Sequence, residues 1–271
     1  MSDFNHINKL YTELKSLRPL SSGALHRLSE DFMIYNTYHS NAIEGSTLTH
    51  DETYLVIKEG LTVDGKPLKF HMDAVGHKDA YYYIEDIIKG KKSLDENVIK
   101  KIHYLTYLSG IDEDRGNYRN LQNYVGFFTP CPPEEVSSRM KDLMHKYNNN
   151  FHKMHIIERV AEFHLIFETI HPFVDGNGRT GRLLMNFDLM KEGFPPINVK
   201  FSDRLEYYDA FNHYRDSDCK DISKMTELVA KYVTKELKRY INSAHIAEKI
   251  EIERSKEGQV DFFDVAHYSN N

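Results

Sequence analysis

Apolar side chains recur every three or four residues through most of this chain, and that spacing commits it to packed α-helices. In residues 155–170, Ile156, Ile157, Val160, Phe163, Phe167 and Ile170 share a helical repeat. The same reasoning predicts helices over about 3–17, 22–40, 67–89, 133–149, 178–192, 203–216 and 222–247. Another helix is expected after Lys92, opened by a capping box of Ser93 and Glu96 ahead of Val98, Ile102 and Leu105. Only residues 122–129 read as extended, and Gly126 at their centre predicts a short hairpin or flap. Turn-rich breaks fall at 60–67 and 109–117, and the polar tail beyond about 250 is expected to be partly loose. The expected fold class is all-α, with a short β-hairpin flap and an N-terminal helical extension.

The chain's 271 residues bury a core large enough to need no disulfide or metal staple. Only two cysteines occur, Cys131 and Cys219, which fits a reducing compartment. The start lacks a basic stretch followed by an apolar run, so a cytoplasmic location is expected. No run of apolar residues is long enough to span a bilayer, so no membrane partner is expected. The formal charge of −6 argues against a nucleic-acid partner, which wants a basic surface.

Chemistry concentrates in residues 171–182, His-Pro-Phe-Val-Asp-Gly-Asn-Gly-Arg-Thr-Gly-Arg. Pro172 stops the preceding helix. Gly176 and Gly178 free the backbone to turn and to expose successive N–H groups at the start of the next helix. Such a nest, backed by the helix dipole, binds anions. Arg179 and Arg182, three residues apart, add two guanidinium forks suited to a di- or triphosphate. Asp175 at the nest's mouth is a carboxylate of the kind that holds Mg²⁺ beside phosphate oxygens. His171, at the end of the preceding helix, is an imidazole able to take a proton from an attacking hydroxyl. These parts describe phosphoryl or nucleotidyl transfer from a nucleoside triphosphate.

The string resembles the signature of the Fic family, His-x-Phe-x-Asp/Glu-Gly-Asn-Gly-Arg-x-x-Arg. The likeness extends over about 95–216, through Gly116-Asn117-Tyr118-Arg119, the flap, Pro132-Pro133 ahead of a helix, Arg204 and the pair Tyr207-Tyr208. It implies a Fic-type helical fold and transfer of AMP from ATP to a Tyr, Thr or Ser hydroxyl of a protein, with release of pyrophosphate. On that resemblance His171 is the general base, and Asp175 holds Mg²⁺ between the α- and β-phosphates. Gly176, Asn177 and Gly178 cradle the phosphates, Asn177 also through its side-chain amide. Arg179 supports the β-phosphate and Arg182 the γ-phosphate, with Thr180 and Gly181 belonging to the same nucleotide-binding stretch. Val125, Gly126, Phe127 and Phe128 of the flap line the nucleotide and align the target segment, and Tyr207 and Tyr208 lie near the adenosine. Relatives of the Doc type carry lysine at the second motif glycine, so Gly178 favours AMP transfer over phosphorylation. Arg215 stands where some relatives carry another polar residue.

Residues 40–45, Ser-Asn-Ala-Ile-Glu-Gly, resemble the family's inhibitory pattern Ser/Thr-x-x-x-Glu-Gly/Asn. The resemblance implies that Ser40, Glu44 and Gly45 belong to a brake in which Glu44 pairs with Arg182 and denies it to the γ-phosphate. Holding 99% of molecules inhibited takes only about 2.7 kcal/mol of bias. The implied organisation is 1–94 carrying the brake, 95–216 as catalytic core, and 217–271 as C-terminal helix and tail. Members of this class often dimerise, so the resemblance allows a homodimer, and the chain itself is a candidate target. Two alternatives stay open at this level: removal of AMP from a modified target with Glu44 as the hydrolytic residue, and a nucleotide-gated regulatory module without turnover. Fifteen histidines invite a zinc reading, but no His-Glu-x-x-His spacing occurs. His50-Asp51 lacks companion sites and reads as a helix start. Tyr81 to Tyr83 read as helix packing.

Overall fold

The computed structural model describes residues 4–17, 22–126 and 128–264. Ten α-helices occur among them: α1 (Asn5–Ser16), α2 (Ser22–Ile43), α3 (His50–Lys58), α4 (Leu68–Lys89), α5 (Glu96–Thr106), α6 (Pro133–Asn149), α7 (Ile156–Ile170), α8 (Asn177–Lys191), α9 (Arg204–Asp216) and α10 (Ser223–Asp264). The all-α expectation holds. The chain forms two compact units, Asp31–Val233 and a smaller one of Met1–Glu30 with Thr234–Asn271. No helix among the described residues is long and apolar enough to cross a membrane.

Local signals set most helix ends, with some departures. The helix after Lys92 is capped by Asp95, whose carboxylate accepts the Val98 N–H at 2.7 Å; the expected Ser93–Glu96 box is not the cap. A capping box does form at α3, where the Thr49 hydroxyl accepts from Glu52 N–H and the Glu52 carboxylate accepts from Thr49 N–H. His50 and Asp51 are therefore its first helical turn. The last helix runs to Asp264, well past 247, so the described part of the polar tail is helical. In the flap, Val125 and Phe128 exchange backbone hydrogen bonds of 2.9 and 3.0 Å in a single antiparallel bridge, with no longer ladder among the described residues.

The larger unit is built around α8. Its residues are buried from Arg179 to Leu189, because α4, α5 and α7 all pack against it. Leu183, Leu184 and Phe187 join Phe32 and Met33 of α2, Ile84 of α4, Val98, Ile99 and Ile102 of α5, Met140 of α6 and Phe163 and Phe167 of α7 in one core. A helix buried all round must also find partners for its polar side chains. Asp188 accepts from Tyr147 of α6 and Arg159 of α7, and Asn186 accepts from the Ile197 N–H at 2.8 Å. The two motif arginines face the same demand, and their partners define the site.

Candidate active site

The 171–176 loop reverses the chain between α7 and α8. His171 ends α7 in the left-handed conformation, at φ 52°, and Gly176 opens α8 at φ 75°. Phe173 is sealed inside, stacked face to face on His103 with ring centroids 3.7 Å apart and planes 2° apart. His103 Nδ1 accepts the Gly116 N–H at 2.9 Å, so its Nε2–H donates to the Asp175 carbonyl at 2.8 Å. Burial pushes its pKa down to about 4, which keeps this ring neutral and the tautomer fixed.

Asn177 braces the loop from within. Its Oδ1 accepts the Phe173 N–H at 2.9 Å and its Nδ2 donates to the Phe173 carbonyl at 2.8 Å. One of the two Nδ2 hydrogens and the carbonyl oxygen thus brace the loop. Gly181 and Thr180 are set by packing. A Cβ on Gly181 would lie 2.7 Å from His164 Cε1 and 2.8 Å from Glu168 Oε1, so glycine lets α7 and α8 approach there. Thr180 is fully buried.

The two arginines diverge. Arg179 Nη1 lies 2.7 Å from Asp73 Oδ2 on α4, and Asp73 accepts the Ser109 hydroxyl at 2.6 Å. Arg179 also stands 3.9 Å from Asp175 Oδ1. Arg182 turns to α2: Nε donates to Ser40 Oγ at 3.0 Å, and Nη2 donates to the Ser40 carbonyl at 2.9 Å and to Glu44 Oε1 at 2.7 Å. Its Nη1 donates to the Tyr207 hydroxyl at 3.4 Å, which lies 2.7 Å from His164 Nε2. Burial opposes the charge of Arg182, yet Tyr207 and Glu44 hold its pKa above the ordinary guanidinium value. Gly45 follows in a left-handed turn at φ 89°. Ser40, Glu44 and Arg182 are thus brought together.

Asp175 is half exposed. Its Oδ1 accepts the Gly176 N–H at 2.6 Å, and Lys69 Nζ stands 3.6 Å from Oδ2. Burial would raise its pKa, but Arg179, the Gly176 N–H and Lys69 bring it below the usual carboxylate value, so it stays ionised. No group of three or more potential metal-ligating side chains occurs among the described residues. One ionised carboxylate beside a phosphate nest nonetheless suits Mg²⁺, which takes its other ligands from phosphate and water.

Glu44, His171, Gly178 and Arg182 wall one part of a cavity of about 720 Å³, and Tyr208, Asn212 and Arg215 of α9 also line it; Asp175 and Arg179 line a separate, smaller pocket that shares Glu44. Val125, Gly126 and Phe128 contribute the flap side, whereas Phe127 lies outside the described residues. Arg215 stacks its guanidinium over Phe128 at 3.8 Å. Tyr207 and Tyr208 both line the cavity, and both also touch the α2–Arg182 cluster: Tyr207 accepts from Arg182, and Tyr208 donates to the Ile43 carbonyl at 3.1 Å.

Sequence reasoning missed Asp73, His103, Glu168, Lys69 and the full reach of Arg119. Arg119 donates to the carbonyls of His171 at 2.8 Å, Leu121 at 3.0 Å and Cys131 at 2.6 Å, tying the end of α7 to both arms of the flap. The available signal was a charged or polar residue on an apolar helix face, as with Glu168 between Phe167 and Ile170.

Residues 93–189 match the Fic/DOC family. Over 227 residues, 82% of this chain and 44% of the relative, the sequence is 32% identical to protein adenylyltransferase fic-1 of Caenorhabditis elegans. Identity is also 32% to protein adenylyltransferase Fic of Nematostella vectensis, over 84% of this chain and 53% of that one. The chain therefore spans about half the length of the curated relatives it matches. A Fic-domain-containing signalling protein from Bacteroides thetaiotaomicron has a similar structure, with a TM-score of 0.82 and 29% identity over 89% of this chain and 98% of that chain.

Proposed function

The chain belongs to the Fic/DOC family, and from that premise we propose that it is a protein adenylyltransferase held in a self-inhibited state. Its substrates are ATP and a protein hydroxyl, and its products are the AMP-modified protein and pyrophosphate. The observation that carries this reading is the grip of Ser40 and Glu44 on Arg182, beside the N-terminus of α8. A guanidinium so engaged has no fork left for a γ-phosphate.

Each step follows from the chain's own groups. The N–H groups at the start of α8 and the positive end of its dipole receive the phosphates. His171 takes the proton of the target hydroxyl as its oxygen attacks the α-phosphorus, and the bond to the β-phosphate oxygen breaks to release pyrophosphate. Arg182, once freed, steadies the triphosphate in the pose that makes this displacement in line. Arg179 acts at one remove, fixing Asp175 and the loop through Asp73. Asp175 would hold Mg²⁺, which supplies charge neutralisation to the leaving phosphates. The names of the relatives support AMP as the transferred group.

The test is incubation with ATP labelled at the α-phosphate and Mg²⁺, alone and in lysate. Weak labelling of protein by wild type, strong labelling by Glu44→Gly and none by His171→Ala is the expected pattern. Loss of a general base costs about 10²–10⁴-fold. Equal labelling by wild type and Glu44→Gly at saturating ATP would refute the brake. Removal of AMP from a modified target that requires Glu44 would instead favour the hydrolytic reading.

A further inference from the structure

We propose that Glu168 is the positioning residue for His171: its carboxylate takes the Nδ1–H of the imidazole and so turns a bare Nε2 toward the cavity. The proposal rests on the reading of His171 as general base. A neutral imidazole carries its proton on one nitrogen only, and the nitrogen that accepts a proton from the target hydroxyl must be the other one. Something in the fold must therefore choose between the two tautomers.

Glu168 sits one turn before His171 on α7 and is 7% exposed. Its Oε2 lies 3.6 Å from His171 Nδ1. Nδ1 of His171 is buried without a hydrogen-bond partner, and so is Oε1 of the same carboxylate. Buried polar atoms without partners are costly, and the Glu168 oxygen that faces the unpartnered Nδ1 is Oε2. The separation exceeds that of a formed hydrogen bond, but such contacts in free enzymes tighten when substrate binds.

The surroundings keep Glu168 charged. Burial alone would raise its pKa; the hydrogen-bonding contact with His171 and the Arg182 guanidinium bring it below the ordinary value. The guanidinium of Arg215 approaches the Glu168 carbonyl at 3.5 Å from α9. His164, whose pKa burial pushes down to about 4, stays neutral and spends its Nε2 on Tyr207. Space for the carboxylate comes from Gly181 of the signature motif, where any side chain would meet Glu168 Oε1. The motif glycine and the glutamate outside the motif are thus two halves of one arrangement.

The deciding measurement is nitrogen NMR of the protein labelled at histidine, with His171 assigned by its absence in His171→Ala. The neutral His171 of wild type is expected as the Nδ1–H tautomer; a predominant Nε2–H form would overturn the proposal. Glu168→Gln, which keeps an acceptor oxygen, is expected to retain the Nδ1–H form, and Glu168→Leu to lose it. An unchanged tautomer in Glu168→Leu would also overturn the proposal. In a Glu44→Gly background, Glu168→Leu should lower turnover by about 10-fold or more with KM for ATP unchanged, and Glu168→Gln should recover most of it. Transfer by Glu44→Gly alone tests the general-base reading, so the two ideas fail separately.

Discussion

Gly178 and Glu44 are so close that a Cβ at position 178 would overlap the Glu44 Oε1 atom. The Glu44 carboxylate rests directly on a glycine in the first turn of α8, across more than a hundred residues of chain. Gly178→Ala should therefore cost stability in wild type by about 1–3 kcal/mol of overpacking. In Glu44→Gly the same change should cost nothing, or stabilise, since alanine is the better helix former. Urea unfolding of the two single variants and the double variant measures this coupling; additive costs would mean that the contact does not exist in solution.

Ser40 shares the restraint of Arg182. Removing its hydroxyl in Ser40→Ala deletes one bond to a charged group, worth about 1.5–3 kcal/mol, and leaves Glu44 in place. Basal AMP transfer should rise by roughly 10-fold or more and stay below that of Glu44→Gly. A rate equal to wild type would assign the whole restraint to Glu44.

Acid should weaken the fold before it protonates the carboxylates. Burial pushes the pKa values of His77, His103 and His164 down to about 3, 4 and 4. In the unfolded chain each returns to about 6.5. Below that pH the unfolded chain binds protons that the folded one refuses, so stability is complete above about 6.5 and falls as the pH drops toward 4. The slope is up to about 1.4 kcal/mol per pH unit for each ring. Unfolding midpoints measured across this window should fall steeply in wild type and less so in His164→Gln. A flat wild-type profile would contradict the neutral, buried rings.

Arg119 is where the flap and the loop after α7 meet. Lysine has one nitrogen and no planar fork, so Arg119→Lys leaves some of the His171, Leu121 and Cys131 carbonyls unsatisfied. A loss of about 1–3 kcal/mol is expected. If the flap aligns the target, as the resemblance implies, KM for the protein target should rise more than KM for ATP. Equal effects on both would show that the arginine serves general stability alone.

How much of this was legible depended on the physics of each residue. The helices α4, α6 and α7 declare themselves through apolar spacing, and the 171–182 loop through glycines and charges that no ordinary turn needs. The environment of α8 was hidden, because Arg179, Arg182, Asn186 and Asp188 make its sequence read like a half-solvated helix. Their partners, Asp73, Ser40, Ile197 and Arg159, lie in other elements or loops, and pairing across that distance leaves no local trace. Asn177 carries a task its sequence position did not disclose: beside the ligand role the resemblance implies, its side chain braces the loop it closes. Ser93 lost the cap to Asp95 because both residues are good caps and only the packing of Val98 and Ile99 sets the register.

The left-handed backbone of His171 has its own consequence. For a residue with a Cβ this conformation costs about 1 kcal/mol, and glycine would occupy it freely. Durability and chemistry thus ask for different residues at this one position. A screen for heat resistance alone, run without selection for the proposed transfer, would drift toward glycine at 171 and discard the imidazole while improving the scaffold.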